Sequence, residues 1–169
     1  MSGFTLLELI TAMTVLAILV SIAIPSFANL TRANQIAAAS NELVTALTLA
    51  RSESVKRGIR VSVCASNGAA VPACSGAATW ANGWIVFTDD TGGAGALDPP
   101  TDELLQTWPA PAAGVIVANA APAVMFTRMG NAVADTTFAI TKQGCSENQR
   151  RNITVARTGR VAIQRAPCP

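Results

Sequence analysis

The residue with the clearest chemical consequence is Glu8, the only ionisable side chain in the apolar stretch of 21 residues from Phe4 to Ile24. A helix of that length rises about 30 Å, which is enough to cross the hydrocarbon core of a bilayer. A carboxylate within lipid costs about 2.5 to 3.5 kcal/mol, so its presence indicates a function that needs a partner. We expect that partner to be a cation in another chain.

The residues around this carboxylate form a motif, Gly3-Phe4-Thr5-Leu6-Leu7-Glu8. The motif resembles the class III signal of type IV pilins and type II secretion pseudopilins. The resemblance implies that a prepilin peptidase cuts after Gly3 and methylates the new amino terminus at Phe4. It also implies that Glu8 pairs with the amino group of a neighbouring subunit during filament assembly.

An ordinary signal peptide or signal anchor is the alternative interpretation of the same segment. Such a signal would be cleaved after the apolar core, and Ala23 to Ala28 could supply a small-residue site. It would also carry a basic stretch before the core, whereas Met1-Ser2 offers only the amino terminus. This alternative leaves Glu8 unexplained.

Downstream of the apolar stretch, the hydrophobic pattern becomes one-sided. Lys56-Arg57-Gly58 supplies a basic last turn and a glycine stop, so we predict one long helix from Phe4 to Arg57 that bends near Pro25. The apolar residues at helical spacing, predicted to contact a sheet, are Ile36, Ala39, Leu43, Leu47, Ala50 and Val55.

The remainder alternates with period two and predicts antiparallel β structure. Arg157-Thr158-Gly159 is typical of a tight hairpin connection between the last two strands. The predicted strands are Ile59 to Val63, Gly83 to Thr88, Glu103 to Thr107, Val115 to Ala118, Val124 to Thr127, Thr137 to Thr141, Asn152 to Ala156 and Arg160 to Gln164. With 169 residues in all, only one globular domain is expected. The predicted divisions are a leader (1–3), a transmembrane and filament-core helix (4–25), an amphipathic helix half (26–58) and a β-rich head (59–169).

Four cysteines in an exported chain predict two disulfides formed in an oxidising compartment. Four cysteines allow three connectivities. We favour local pairing, Cys64 with Cys74 and Cys145 with Cys168. A zinc site is disfavoured because the chain has no histidine and no CxxC pair.

A second resemblance narrows the family. The segment Ala50 to Gly58, the strand ending at Cys64 and the segment Trp80 to Asp89 together resemble the GspH/FimT/FimU group of minor pilins and pseudopilins, over about Ala50 to Arg165. This implies the α+β type IV pilin fold, with the long helix against an antiparallel sheet. It also implies a single-pass inner-membrane protein with a periplasmic head, extracted into a filament with other subunits. The expected role is that of a minor pilin that primes assembly near the tip, and the alternative is a type II secretion pseudopilin.

DNA binding is a further alternative, because the FimT branch used in natural transformation carries a Gly-Arg-any-Arg motif. Gly159 and Arg160 match it, but Ala162 occupies the second arginine position. The bases that could rebuild a basic face are Arg157 and Arg165, with Arg150 and Arg151. The competing interpretation is a solvated edge hairpin whose charges prevent strand addition.

Formal charge is unevenly distributed, although the net value is only +2. The acids Asp89 to Asp98 lie among glycines and could surround calcium, but their spacing misses the EF-hand pattern, so we expect a solvated turn. From Arg128 onward the chain has seven basic and two acidic side chains. Such an uneven charge distribution can orient neighbouring subunits or attract a polyanion.

No catalytic constellation is present in the sequence. Without histidine, and with all cysteines expected in disulfides, neither a Ser-His nor a Cys-His nucleophile can be assembled. Trp80, Trp84 and Trp108 are expected in the core or at subunit contacts. We therefore predict a structural protein with no cofactor and no metal.

Overall fold

The computed structural model describes residues 5–90 and 95–169. Helix α1 (Leu6–Arg57) has 52 residues and continues through position 25, where the sequence predicted a bend. It begins at the cap residue Thr5, whose side-chain oxygen accepts a hydrogen bond from the Glu8 backbone N–H at 3.3 Å. It ends at Gly58, whose φ of 69° is the left-handed conformation that glycine adopts without strain.

The second half of α1 is buried along one stripe. The buried residues are Ile36, Ala39, Ser40, Leu43, Ala46, Leu47, Ala50 and Ser54. The prediction that Val55 belongs to this stripe was wrong, since its side chain is 56% exposed while Ser54 is 0% exposed. Position 54 continues the 3.6-residue period from Leu47 and Ala50, whereas position 55 is turned about 100° away. At this turn the position on the helix, rather than the hydrophobicity of the residue, determines which side chain is buried.

Among the described residues, eight antiparallel strands form two four-stranded sheets, which confirms the predicted antiparallel β head. The first sheet has the order β3-β2-β1-β5 and the second β4-β6-β7-β8. The strands are β1 (Val61–Ala65), β2 (Trp84–Thr88), β3 (Leu104–Trp108), β4 (Val115–Ala118), β5 (Ala123–Phe126), β6 (Thr136–Lys142), β7 (Arg150–Val155) and β8 (Val161–Ala166). Both sheets contact α1, so the helix organises one core that the two sheets share.

Predicted and observed strand ends differ mostly by one or two residues. Strand β1 begins at Val61 rather than Ile59, because the turn after Gly58 occupies the intervening residues. Cys64 therefore lies within the strand. Strand β7 begins at Arg150, two residues before the predicted start at Asn152.

Trp80 and Trp84 are fully buried, and Trp108 packs partly buried against the same core. The Trp80 ring meets Phe138 edge-on, with centroids 4.8 Å apart. Its Nε1–H donates to the Ala121 carbonyl at 3.0 Å, which satisfies the polar atom of this large side chain. A short 3-10 helix, Trp80–Asn82, delivers Trp80 into the core just before β2.

Two disulfides connect cysteines that are near in sequence. Cys64 joins Cys74 with Cα atoms 5.6 Å apart, which anchors the loop after β1. Cys145 joins Cys168 with Cα atoms 5.9 Å apart, which fixes the segment after β8 to the β6–β7 connection. These are the local pairs that the spacing favoured, and each closure constrains the unfolded chain.

Candidate assembly site and the basic surfaces of the head

The first half of α1 lies outside the globular head. It is long and apolar enough to cross a membrane by length and composition, and its most apolar 18-residue window is 0% buried. Its exposed large side chains are Leu6, Leu7, Leu9, Ile10, Met13, Val15, Leu16, Ile18, Leu19, Val20, Ile22, Ile24, Phe27 and Leu30. An apolar surface of this extent in water would be an aggregation liability, so it requires lipid or other protein around it.

The carboxylate of Glu8 is exposed on this apolar surface and forms no ion pair among the described residues. The next charged side chain along the helix is Arg32, 24 residues further on, which corresponds to about 36 Å of helix rise. Glu8 lines a shallow groove with Thr11, Ala12 and Val15. The head of the same chain therefore supplies it with no cation. Gly3 and Phe4, the predicted processing residues, lie outside the described residues.

Three side-chain hydroxyls in the exposed half of α1 donate to carbonyls of the helix itself. Thr11 donates to the Glu8 carbonyl at 3.0 Å, Thr14 to the Ile10 carbonyl at 2.8 Å, and Ser21 to the Ile18 carbonyl at 2.7 Å. Such local bonds let a polar side chain sit in hydrocarbon without an unpaired donor.

The three candidate DNA-binding arginines are all exposed but are not gathered on one face. Arg157 makes an ion pair with Asp135 at 3.5 Å, and its backbone N–H donates to the same carboxylate at 2.8 Å. Arg165 is the cross-strand partner of Arg151, on the face of the buried Ile153. Arg160 has the opposite strand parity, so strand alternation directs it to the other face.

The tip of the β7–β8 hairpin is fixed against the end of α1. Gly159 is buried with φ of 77°, and a Cβ there would overlap the Gly130 carbonyl oxygen. The Arg51 guanidinium donates to the Thr158 carbonyl at 3.4 Å. Arg160 is therefore presented from a rigid turn.

Asp89, the first residue of the acidic segment, is buried, whereas the sequence predicted that it lies in a solvated turn. Asp89 is 0% exposed and accepts hydrogen bonds from Arg60 at 3.0 Å, from the Ser62 hydroxyl and from the Gly95 backbone N–H at 2.8 Å. Its ion pair and hydrogen bonds compensate the burial of its charge. Residues 91–94 of the calcium candidate lie outside the described residues, and no group of three or more carboxylates or cysteines arranged for a metal occurs among those described.

The sequence named Arg150, Arg151 and Arg165 as possible members of a basic face, but it did not group them with Lys142. At the end of the head opposite the hairpin tip, Lys142 Nζ donates to Gln35 Oε1 and to the Ala113 carbonyl, both at 2.6 Å. Arg151 and Arg165 are paired at the same end, on the adjacent strands β7 and β8. Burial, with a smaller contribution from Arg165, lowers the pKa of Arg151. The signal for this cluster lay in the strand register, which a single sequence does not reveal.

An exposed membrane-length helix that continues into a disulfide-bonded β head is the architecture of the type IV pilin fold. The family model described as "Type II transport protein GspH" matches residues 39–159, so the chain belongs to the GspH family. The family and fold are those of structural minor pilin and pseudopilin subunits.

Two solved structures of the Pseudomonas aeruginosa type IV minor pilin FimU, in two crystal forms, resemble this chain. The first has a TM-score of 0.58 at 23% identity and covers 79% of this chain and 90% of that chain. The second has a TM-score of 0.55 at 23% identity and covers 77% and 91%. Comparison with curated proteins found no match.

Proposed function

We propose that this protein is a minor subunit of a type IV pilus that helps to prime filament assembly near the tip. The observation that carries the proposal is Glu8, an exposed carboxylate on an uncovered membrane-length helix about 36 Å from the next charge on that helix. The chain would wait in the inner membrane with its head in the periplasm. Prepilin peptidase would cut after Gly3 and methylate Phe4.

Assembly would then replace lipid around the helix with the helices of other subunits. A carboxylate and an amine that meet in a medium of low dielectric constant attract strongly, and pairing offsets the desolvation that each would otherwise bear alone. Because the rest of the segment is apolar, the amine of a neighbouring subunit sets the axial register through Glu8. The uncovered side chains then supply contact area on all sides.

Replacement of this carboxylate tests the proposal. We expect Glu8→Ala to leave the membrane-fraction level unchanged, since it removes only a penalty to insertion, and to lower the level in sheared pili by about tenfold or more. The measurement is an immunoblot of membrane and sheared fractions. Glu42→Ala, which removes an exposed carboxylate from the head half of the same helix, is the matched control. Equal pilus levels for Glu8→Ala and the unsubstituted chain would refute the assembly role.

A pseudopilin of type II secretion is the alternative, and the description of the matched family favours it. The fold shared with two structures described as minor pilins supports the pilus instead. Deletion separates the two functions, because loss of a minor pilin reduces piliation while loss of a pseudopilin leaves secreted enzymes inside the cell. Gene neighbourhood gives the same discrimination.

DNA binding for natural transformation is supported by Arg160, which is exposed and forms no ion pair among the described residues. The full chain in a neutral detergent should then retard a DNA duplex at low salt, and Arg160→Ala should weaken retardation, because phosphate contacts depend on counterion release. Arg57→Ala is the control, since Arg57 is committed to Glu53 and Glu103. The absence of any retardation at low salt would exclude this function.

A further inference from the structure

All four strands of the second sheet reach the same end of the head, beside the point where α1 leaves it. The register pairs Val115 with Lys142, and Arg150 with Ala166. The bond from Lys142 Nζ to Gln35 Oε1 places this end level with residue 35 of α1. The ends of these four strands therefore lie at the side of the head that is nearest to the apolar half of the helix.

This end carries a concentration of positive charge, which we call the proximal basic end. Its members are Arg32, Lys142, Arg150, Arg151 and Arg165. Arg32 belongs to it because its guanidinium lies against Gly144, in the connection that follows β6. The acidic side chain in that connection is Glu147. Glu42 is seven residues beyond Gln35, about 10 Å further along the helix.

Four of these bases, Arg32, Lys142, Arg150 and Arg151, donate hydrogen bonds to uncharged oxygens. Among the described residues none of the five takes part in an ion pair. Arg150 Nε donates to Asn152 Oδ1 at 3.1 Å, and Arg151 Nη1 to the Asn148 carbonyl at 3.4 Å. Arg151 and Arg165 are directly opposite on neighbouring strands, an arrangement of like charges that is unfavourable unless an anion lies nearby.

The position of this end relative to the membrane-length segment identifies the anion. From Ile24 to Arg32 there are eight residues, or about 12 Å of helix, and Gln35 is about 5 Å further. The headgroup layer extends about 5 to 8 Å beyond the hydrocarbon core, and charges act over a Debye length of about 8 Å beyond that. The proximal basic end therefore lies within reach of lipid phosphates when the helix spans the bilayer.

We propose that the proximal basic end binds the headgroups of anionic phospholipids while the chain is anchored in the membrane before assembly. The inference rests on the membrane-anchored stage of the proposed function. Contact with headgroups sets the tilt of the head, and extraction into the filament breaks it. While the chain is anchored, the proximal basic end is next to the bilayer surface, so the anion that it meets is a lipid headgroup rather than DNA.

Hydrogen–deuterium exchange of the full chain in nanodiscs tests the inference. One set of discs contains phosphatidylcholine alone and the other contains about 30% phosphatidylglycerol. We expect backbone amides of residues 143–151 to exchange about fivefold more slowly in the anionic discs, and the difference to disappear at about 0.5 M salt because the contacts are electrostatic. The salt dependence therefore tests the electrostatic contact in the unsubstituted chain.

Two double variants locate the effect. Arg151→Gln with Arg165→Gln should abolish the lipid-dependent protection and leave the fold intact, because it relieves a like-charge pair. Lys56→Gln with Arg128→Gln removes the same charge from the far end of the head and should retain the protection. Equal loss in both variants would overturn the assignment to the proximal basic end.

The remaining outcomes separate this inference from the function on which it rests. Incorporation into both kinds of disc with identical exchange would overturn lipid binding alone. Protection by an added DNA duplex, and none by phosphatidylglycerol, would overturn it in favour of a polynucleotide. Failure to enter either disc would overturn the membrane-anchored stage, and this inference with it.

Discussion

The two halves of helix α1 are continuous in backbone and opposite in surroundings. From Leu6 to Leu30 large apolar side chains are exposed on all sides, whereas from Ile36 to Ser54 a single stripe is buried against two sheets. Among the described residues, no part of the head covers the first half, whereas the two sheets of the same chain cover one side of the second half. In the proposed function, the first half of the helix therefore serves assembly, while the second half forms the core of the head.

The largest expected effect comes from the same substitution made in each half. Leu43→Ala should destabilise the head by about 3 kcal/mol, because it leaves a cavity at a fully buried position. Leu19→Ala should leave the unfolding free energy of the head unchanged, because that side chain contacts nothing in the head. Urea unfolding of both variants in one detergent, followed by tryptophan fluorescence, measures the difference. Similar losses for both would mean that the halves are not energetically separate.

A smaller effect is expected from added volume. Ser40 is fully buried and its hydroxyl donates to the Ile36 carbonyl at 2.6 Å, while Ser21 is exposed. Ser40→Leu should cost about 1 to 3 kcal/mol by overpacking, and Ser21→Leu should leave head stability unchanged. Thermal unfolding of the two variants measures this. A stable Ser40→Leu protein would indicate spare room between the helix and the sheets.

The smallest effect concerns the polar side of the packed half. The hydrogen bond from Arg57 Nε to Glu53 Oε2 at 2.6 Å, with the charge of Lys56, lowers the pKa of Glu53 from its ordinary value of 4.5. A lowered pKa stabilises the fold above pH 4.5, and this contribution is lost as the pH falls through the folded-state pKa.

Glu53→Gln should therefore be slightly less stable than the unsubstituted chain at pH 7, and the two should have equal stability at an acidic pH below the folded-state pKa of Glu53. Urea unfolding at both pH values measures the gap. Glu42→Gln is the control, because Glu42 makes no ion pair among the described residues. A gap that persists at the lower pH would show that packing, rather than charge, accounts for the loss.

Much of the fold was predictable because its signals are local. Helical spacing located five residues of the buried stripe, wrongly included Val55 and missed Ser40, Ala46 and Ser54. Alternation located eight strands to within about two residues. Their division into two sheets was not predictable, because pairing partners such as Val61 and Phe126 are distant in sequence. The motif around Glu8 could be recognised from the sequence because it consists of consecutive residues.

Other parts of the site depended on contacts that only folding creates. Asp89 was assigned to a solvated turn because its neighbours are glycines and acids. In the structure it is buried, with hydrogen bonds from Ser62 in β1 and from Arg60, which directly precedes that strand. Arg157, Arg160 and Arg165 looked like one basic face in sequence, whereas strand parity separates Arg160 from Arg165. In each case the register of a sheet decided the outcome.

The inward-bonded hydroxyls of Thr11, Thr14 and Ser21 have a consequence for transit between environments. Because each of these three donors has its acceptor on its own helix, none of the three hydroxyls needs a hydrogen bond from its surroundings. Lipid tails and neighbouring helices are then nearly equivalent media for these side chains, and the passage is reversible as far as they are concerned. Glu8 is the ionisable side chain among the described residues of this segment, so in the proposed assembly its pairing with an amine gives the transfer a direction.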